Sequence, residues 1–251
     1  MNSTANSPEP DVPIRRKAPS PFWPFRYSGV ALLAALVFLL IITPFVEDLP
    51  RGDLVEAALM SLVLVSAVLA VGGRRRTLLA ALLLVTPALA AKWANRIRPD
   101  LAPPEIFLGA GTAFFVFVIF HMLRFILRAP RVDANVLCTG LSGYLMLGLL
   151  WMPAYLLVAK VAAPSHPAFA ISVGPDAGRV LDGFNAFYFS FVTICTVGYG
   201  DIAPVSRVAR MLAVMEAITG LFYMAVLISR LVAVYSSTQH LDEGPRPPTQ
   251  T

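Results

Sequence analysis

The residues with most chemistry to offer form one unbroken run, Thr193, Ile194, Cys195, Thr196, Val197, Gly198, Tyr199, Gly200 and Asp201. A dehydrated monovalent cation needs oxygen ligands in place of its water shell, and a chain supplies them most densely by turning successive backbone carbonyls to one side. Such a row requires alternating backbone conformations, some with positive φ, which glycine adopts freely and residues with a Cβ resist. Gly198 and Gly200 stand at alternate positions of the run. The carbonyls of Thr196, Val197, Gly198, Tyr199 and Gly200 can therefore face one axis. The Thr196 hydroxyl adds a ligand at the inner end, and the Val197 and Tyr199 side chains turn away as wedges. One chain offers one such strand, whereas a ring of carbonyls around a cation takes about four. No second Gly-Tyr-Gly occurs, so the expectation is a homotetramer with cyclic symmetry and the cation on its axis.

The elements that must position this run are legible on both sides of it. Residues 183–192 are long enough for a short helix capped by Asp182, and its C-terminal end would aim partial negative charge at the cation path. Apolar runs of membrane length flank it, at 136–161 and 208–235, and four more precede them, at 28–46, 54–71, 78–91 and 106–127. The run at 78–91 is short and contains Pro87, so its crossing needs snorkelling by Lys92 and a locally thinned bilayer. The fold class expected is thus all-α: a polytopic membrane protein of six transmembrane helices plus a re-entrant helix and loop.

Composition agrees with that reading and excludes others. The chain has 57% hydrophobic and 14% charged residues, against about 25% charged in soluble domains. Its net charge of +5 is carried by cations beside apolar runs, which makes them topology signals and not a nucleic-acid surface. Gly72-Gly73-Arg74-Arg75-Arg76 ends the second run, and Arg124, Arg128 and Arg131 end the fourth; both ends are expected in the cytoplasm. Cys138 and Cys195 are the only thiols and are expected as small buried residues rather than as a disulfide. His121, His166 and His240 lie in three separate regions without an HExxH. No catalytic residue, prosthetic group or other cofactor is therefore expected, and enzymatic function is not.

The whole pattern Thr-x-x-Thr-Val-Gly-Tyr-Gly-Asp, with a helix before it and long apolar runs on either side, resembles the pore domain of the potassium channel superfamily. The likeness covers residues 136–235, in the order outer helix, pore helix, filter, inner helix. With the four leading helices, the chain resembles a bacterial six-helix single-pore channel. The resemblance implies passive potassium conduction, with K+ bound at Thr196, Val197, Gly198 and Tyr199. It also implies Thr193 behind the filter, Asp201 at the outer mouth, a hinge at Gly220, and Leu221, Met224 and Ile228 on the cavity face. Where the simple two-helix bacterial channels have a pore-helix glutamate, this chain has Val192, so a brace must come from elsewhere, with Tyr188 the candidate. Glu216 shares a helix face with Gly220. It either enriches cations in the cavity or braces the pore helix, and its level beside the filter favours bracing. A voltage sensor needs about three to four arginines crossing the field, but only Arg124 and Arg128 lie in the fourth span. An arginine-rich sensor helix is not expected.

The domain plan that follows is a disordered basic cytoplasmic tail at 1–25, a four-helix membrane domain at 26–132, a pore domain at 133–237 and a short cytoplasmic tail at 238–251. With no cytoplasmic sensing domain expected after the last helix, gating falls to the membrane part, lipid or a partner. The segment 162–182, rich in proline and glycine, is expected as a plain extracellular loop, and Trp151 and Tyr155 as interfacial aromatics. The expected location is the bacterial inner membrane, multi-pass, with both termini inside and partners limited to lipid, K+ and three further copies of the chain. Two alternatives stay open: a weakly selective cation channel, and a non-conducting regulatory subunit.

Overall fold

A computed structural model describes residues 28–46, 52–71, 75–97, 104–129, 133–162 and 165–242. In chain order the elements are α1 (Ser28–Val46), α2 (Gly52–Val71), α3 (Arg75–Ile97), α4 (Pro104–Arg128), α5 (Ala134–Val161), β1 (Phe169–Ile171), α6 (Gly183–Ile194), β2 (Ile202–Pro204) and α7 (Arg207–Asp242). The expected tail at 1–25 and the turns around Asp48 and Gly73 lie outside the described residues. The molecule is mostly helical and built to cross a membrane. Among the described residues, four helices are long and apolar enough to span one, within Gly29–Val46, Gly109–Arg128, Ala134–Val161 and Arg207–Ala233.

The apolar stretches of α2 and α3 are shorter, Ala57–Ala70 and Arg76–Pro87, although both helices run past them. Pro87 sits inside α3. The helix continues beyond it to Ile97, as a single proline removes one backbone hydrogen bond without abolishing the turns on either side.

α5 is the axis of the packing. α1 and α4 lie along it, α2 packs on α1, α3 on α4, and α6 and α7 cover its other side. One apolar core joins these helices through Leu36, Val63, Phe114, Val118, Met146 and Leu149, all buried. Polar ties fix the ends. Asp133 Oδ1 caps α5 by accepting from Val136 N at 2.8 Å, Asn135 Oδ1 accepts from Gly29 N at 3.1 Å, and Arg230 of α7 donates to the Ala129 carbonyl at the end of α4 at 2.9 Å. His121 Nδ1 lies 2.9 Å from the Phe117 carbonyl on its own helix, a bond within one turn of α4.

Three expectations are corrected. Segment 162–182 is not a plain loop, because β1 within it pairs antiparallel with β2 just after the glycine-rich run. Tyr155 is not interfacial. It is fully buried in a second core with Phe169, Leu181, Phe189, Ile202 and Ala209, because its hydroxyl finds an internal partner. The last helix also reaches Asp242, five residues into what was expected to be tail starting at 238.

Candidate functional site

The site begins with α6, twelve residues from Gly183 to Ile194. Asp182 starts it, its Oδ1 accepting from Asn185 N at 2.8 Å, which satisfies a backbone donor that the first helical turn cannot. The helix does not simply stop. Cys195 N donates to the Phe191 carbonyl at 3.1 Å, Thr196 N to Thr193 at 2.9 Å, and Val197 N to Val192 at 2.9 Å. The chain therefore leaves α6 folded back over its last turn and continues as an extended segment through Gly200.

In that segment positive φ recurs at every second residue: Thr196 at +58°, Gly198 at +58° and Gly200 at +82°. A Cβ built at Gly198 or Gly200 meets nothing within 4 Å, so glycine is needed there for backbone conformation and not for space. Thr196 holds the same conformation with a β-branched side chain, a strain of about 1–3 kcal/mol that persists only where surrounding bonds over-determine it. Those bonds are the three amide contacts just described. Val197 is 50% exposed and Tyr199 73%. Cys195 is exposed too, contrary to expectation, because it sits where the chain leaves the helix.

Behind the segment, side chains from three helices meet. Glu216 of α7 is 0% exposed. The Tyr155 hydroxyl of α5 donates to its Oε2, and Ser190 Oγ of α6 lies 2.5 Å from its Oε1. The same Ser190 oxygen is 2.6 Å from the Gly148 carbonyl of α5. Tyr144 of α5 donates to the Ile194 carbonyl at 3.0 Å, at the turn where α6 ends. Tyr188 of α6 stands close enough to Asp201 to interact with its carboxylate, which links the residue after the glycine run to α6.

Gly220 is buried in an unbroken α7, where a Cβ would lie 2.6 Å from Ile194 Cγ1 and 3.2 Å from the Ile194 carbonyl oxygen. What the geometry gives it is a close approach of α7 to the end of α6. Leu221 and Ile228 are exposed on α7 and Met224 is half-buried against the core. Thr193 is half-buried in the last turn of α6.

Sequence reasoning singled out Glu216 and Tyr188 but missed Tyr144, Tyr155 and Ser190 as parts of this site. Tyr155 carried the only usable signal, an aromatic hydroxyl on the same stretch of α5 that faces Glu216. A buried carboxylate needs donors, yet nothing local says which helix supplies them.

A protein-family profile described as "Ion channel" matches residues 154–237. Protein LctB of Geobacillus stearothermophilus is 33% identical over 128 residues, 50% of this chain and 92% of that protein. Two pore potassium channel c of Oryza sativa subsp. japonica is 34% identical over 94 residues, 37% of this chain and 20% of that protein. The inward rectifier potassium channel Kirbac3.1 of Paramagnetospirillum magnetotacticum is 33% identical over 100 residues, 40% of this chain and 29% of that protein. The chain thus spans about a quarter or less of the plant two-pore relatives it matches. No solved structure matches it.

Proposed function

This chain belongs to the ion-channel family, and from that premise we propose that it is a potassium-selective channel whose filter is the strand from Thr196 to Gly200. The single observation that carries the reading is the alternation of positive φ at Thr196, Gly198 and Gly200. That alternation lets successive carbonyls replace the hydration shell of a potassium ion. In this reading α5 is the outer helix, α6 the pore helix and α7 the inner helix. The C-terminal end of α6 directs its partial negative charge toward the ion. Potassium crosses passively, down its gradient, with no covalent step.

One strand makes a quarter of such a ring, so the channel is a homotetramer. The exposure of Tyr199 and Val197 supports this. Side chains of that size, on the strand that would have to be rigid, need a neighbouring subunit to cover them. So does the apolar face of α7, where Val208, Met211, Met215, Leu221, Phe222 and Ile228 stand exposed, some toward neighbours and some toward the cavity.

Glu216 acts as the brace that Val192 cannot provide. With both carboxylate oxygens engaged by Tyr155 and Ser190, it couples inner, outer and pore helices at one level and does not face the cavity. Tyr188 with Asp201 braces the outer mouth, and Tyr144 holds the backbone at the filter's inner end.

Potassium efflux from liposomes holding the purified protein tests this. Flux that exceeds sodium flux and disappears in Gly198→Ala, with the tetramer retained on a sizing column, is the expected outcome. Unchanged flux in that variant refutes the filter assignment.

A further inference from the structure

Beside the filter strand lies a short sheet that the glycine motif does not require. β1 and β2 pair Phe169 with Pro204, Ala170 with Ala203 and Ile171 with Ile202. The ladder continues past both ends. Val205 N and Ser206 N donate to the Ala168 carbonyl at 2.8 and 3.1 Å, and Ser172 N donates to the Asp201 carbonyl at 2.8 Å. A two-stranded sheet of three-residue strands is marginal alone, so its stability comes from what lies beneath it. Phe169 packs edge-on against Tyr155 and Phe189, with ring centroids 5.6 and 5.4 Å away. The returning chain is fastened as well: Gly178 N donates to the Ile171 carbonyl at 3.0 Å, and Asn185 Nδ2 of α6 donates to Asp176 Oδ2 at 3.1 Å.

The fastened segment ends on the filter. Ser172 Oγ lies 3.0 Å from the Asp201 carbonyl oxygen and 3.4 Å from that of Gly200. A hydroxyl has one proton to donate, so it serves one of these acceptors fully or both in part. Gly200 contributes the last carbonyl in the row, and an oxygen engaged by a hydrogen bond is a poorer ligand for a cation arriving at it.

We propose that this segment is a strap over the outer mouth, and that Ser172 is a positioning residue setting how available the Gly200 carbonyl is to a potassium ion at the outermost position. The inference rests on the filter assignment above. The strap also joins the exposed surface to the core, because Phe169 touches Tyr155, whose hydroxyl engages Glu216. Displacement of the strap by anything that binds outside the membrane is thereby felt at the pore helix.

The test uses the full chain in planar bilayers, with potassium varied separately on the strap side and on the opposite side. Loss of the hydroxyl in Ser172→Ala shifts the half-saturating potassium concentration on the strap side by about three- to tenfold, the worth of one neutral hydrogen bond. The opposite-side dependence stays put, and Ser172→Thr restores the unmutated value. If the alanine variant fails to assemble, Ser172→Cys, close in volume but a weak donor, reports the same shift. A uniform fall in current with half-saturation unmoved is what a merely structural role gives, and it overturns the inference. Selective potassium current with no shift in any variant overturns the inference and leaves the filter assignment standing, whereas absence of potassium current in the unmutated protein overturns both.

Discussion

Glu216 occupies a position that only a network can hold, a carboxyl group with no exposed surface on a helix that crosses the membrane. Removing it in Glu216→Ala leaves the buried Tyr155 hydroxyl without its acceptor, which costs about 1–3 kcal/mol. The purified protein should melt at lower temperature in a thermal denaturation series. Glu216→Gln should melt near the unmutated protein, since an amide accepts from Tyr155 and donates to Ser190, which still has the Gly148 carbonyl to bond. Gly198 and Gly200 were legible from sequence because the need for positive φ is local and glycine answers it. Thr196 at +58° was not, since a β-branched residue there contradicts local preference and is held by amide bonds back to α6. The partners of Glu216 were equally hidden, lying 61 and 26 residues away in the chain, on helices whose facing sides only packing decides.

At the scale of elements, α6 was readable because its signals are local, an aspartate cap followed by an apolar run between two longer ones. The β1–β2 pair was not: strands of three residues are too short for a two-residue period to emerge from a stretch rich in proline and glycine. α7 carries the test. Gly220 lets it pass against the carbonyl and side chain of Ile194, at the turn from which the glycine-rich strand starts. Gly220→Ala should therefore push α7 away from that turn and lower selectivity for potassium over sodium, read as a shift in reversal potential, with assembly retained. A residue acting only as a hinge would change how often the channel opens and leave the reversal potential alone. The long apolar spans were plain in the sequence. The extension of α3 beyond Pro87 to Ile97 was not, because a proline in a short apolar run reads locally as the end of a helix.

The molecule as a whole presents an exposed glycine-rich strand and a broad exposed apolar face on α7. In the proposed assembly four copies around an axis would cover both, so light scattering on detergent-purified protein should give a mass of about four chains, and a monomer at micromolar concentration would contradict it. The leading helices α1 and α4 pack on α5 of their own chain, a relation that sequence alone left open because the same apolar faces suit a neighbour equally well. The measurement that bears most directly on the central claim is the reversal potential of the purified protein in a planar bilayer with potassium on one side and sodium on the other. A filter of carbonyls from Thr196 to Gly200 requires a value near the potassium equilibrium potential, with current lost in Gly198→Ala. A reversal near zero, or current that survives that substitution, would contradict it.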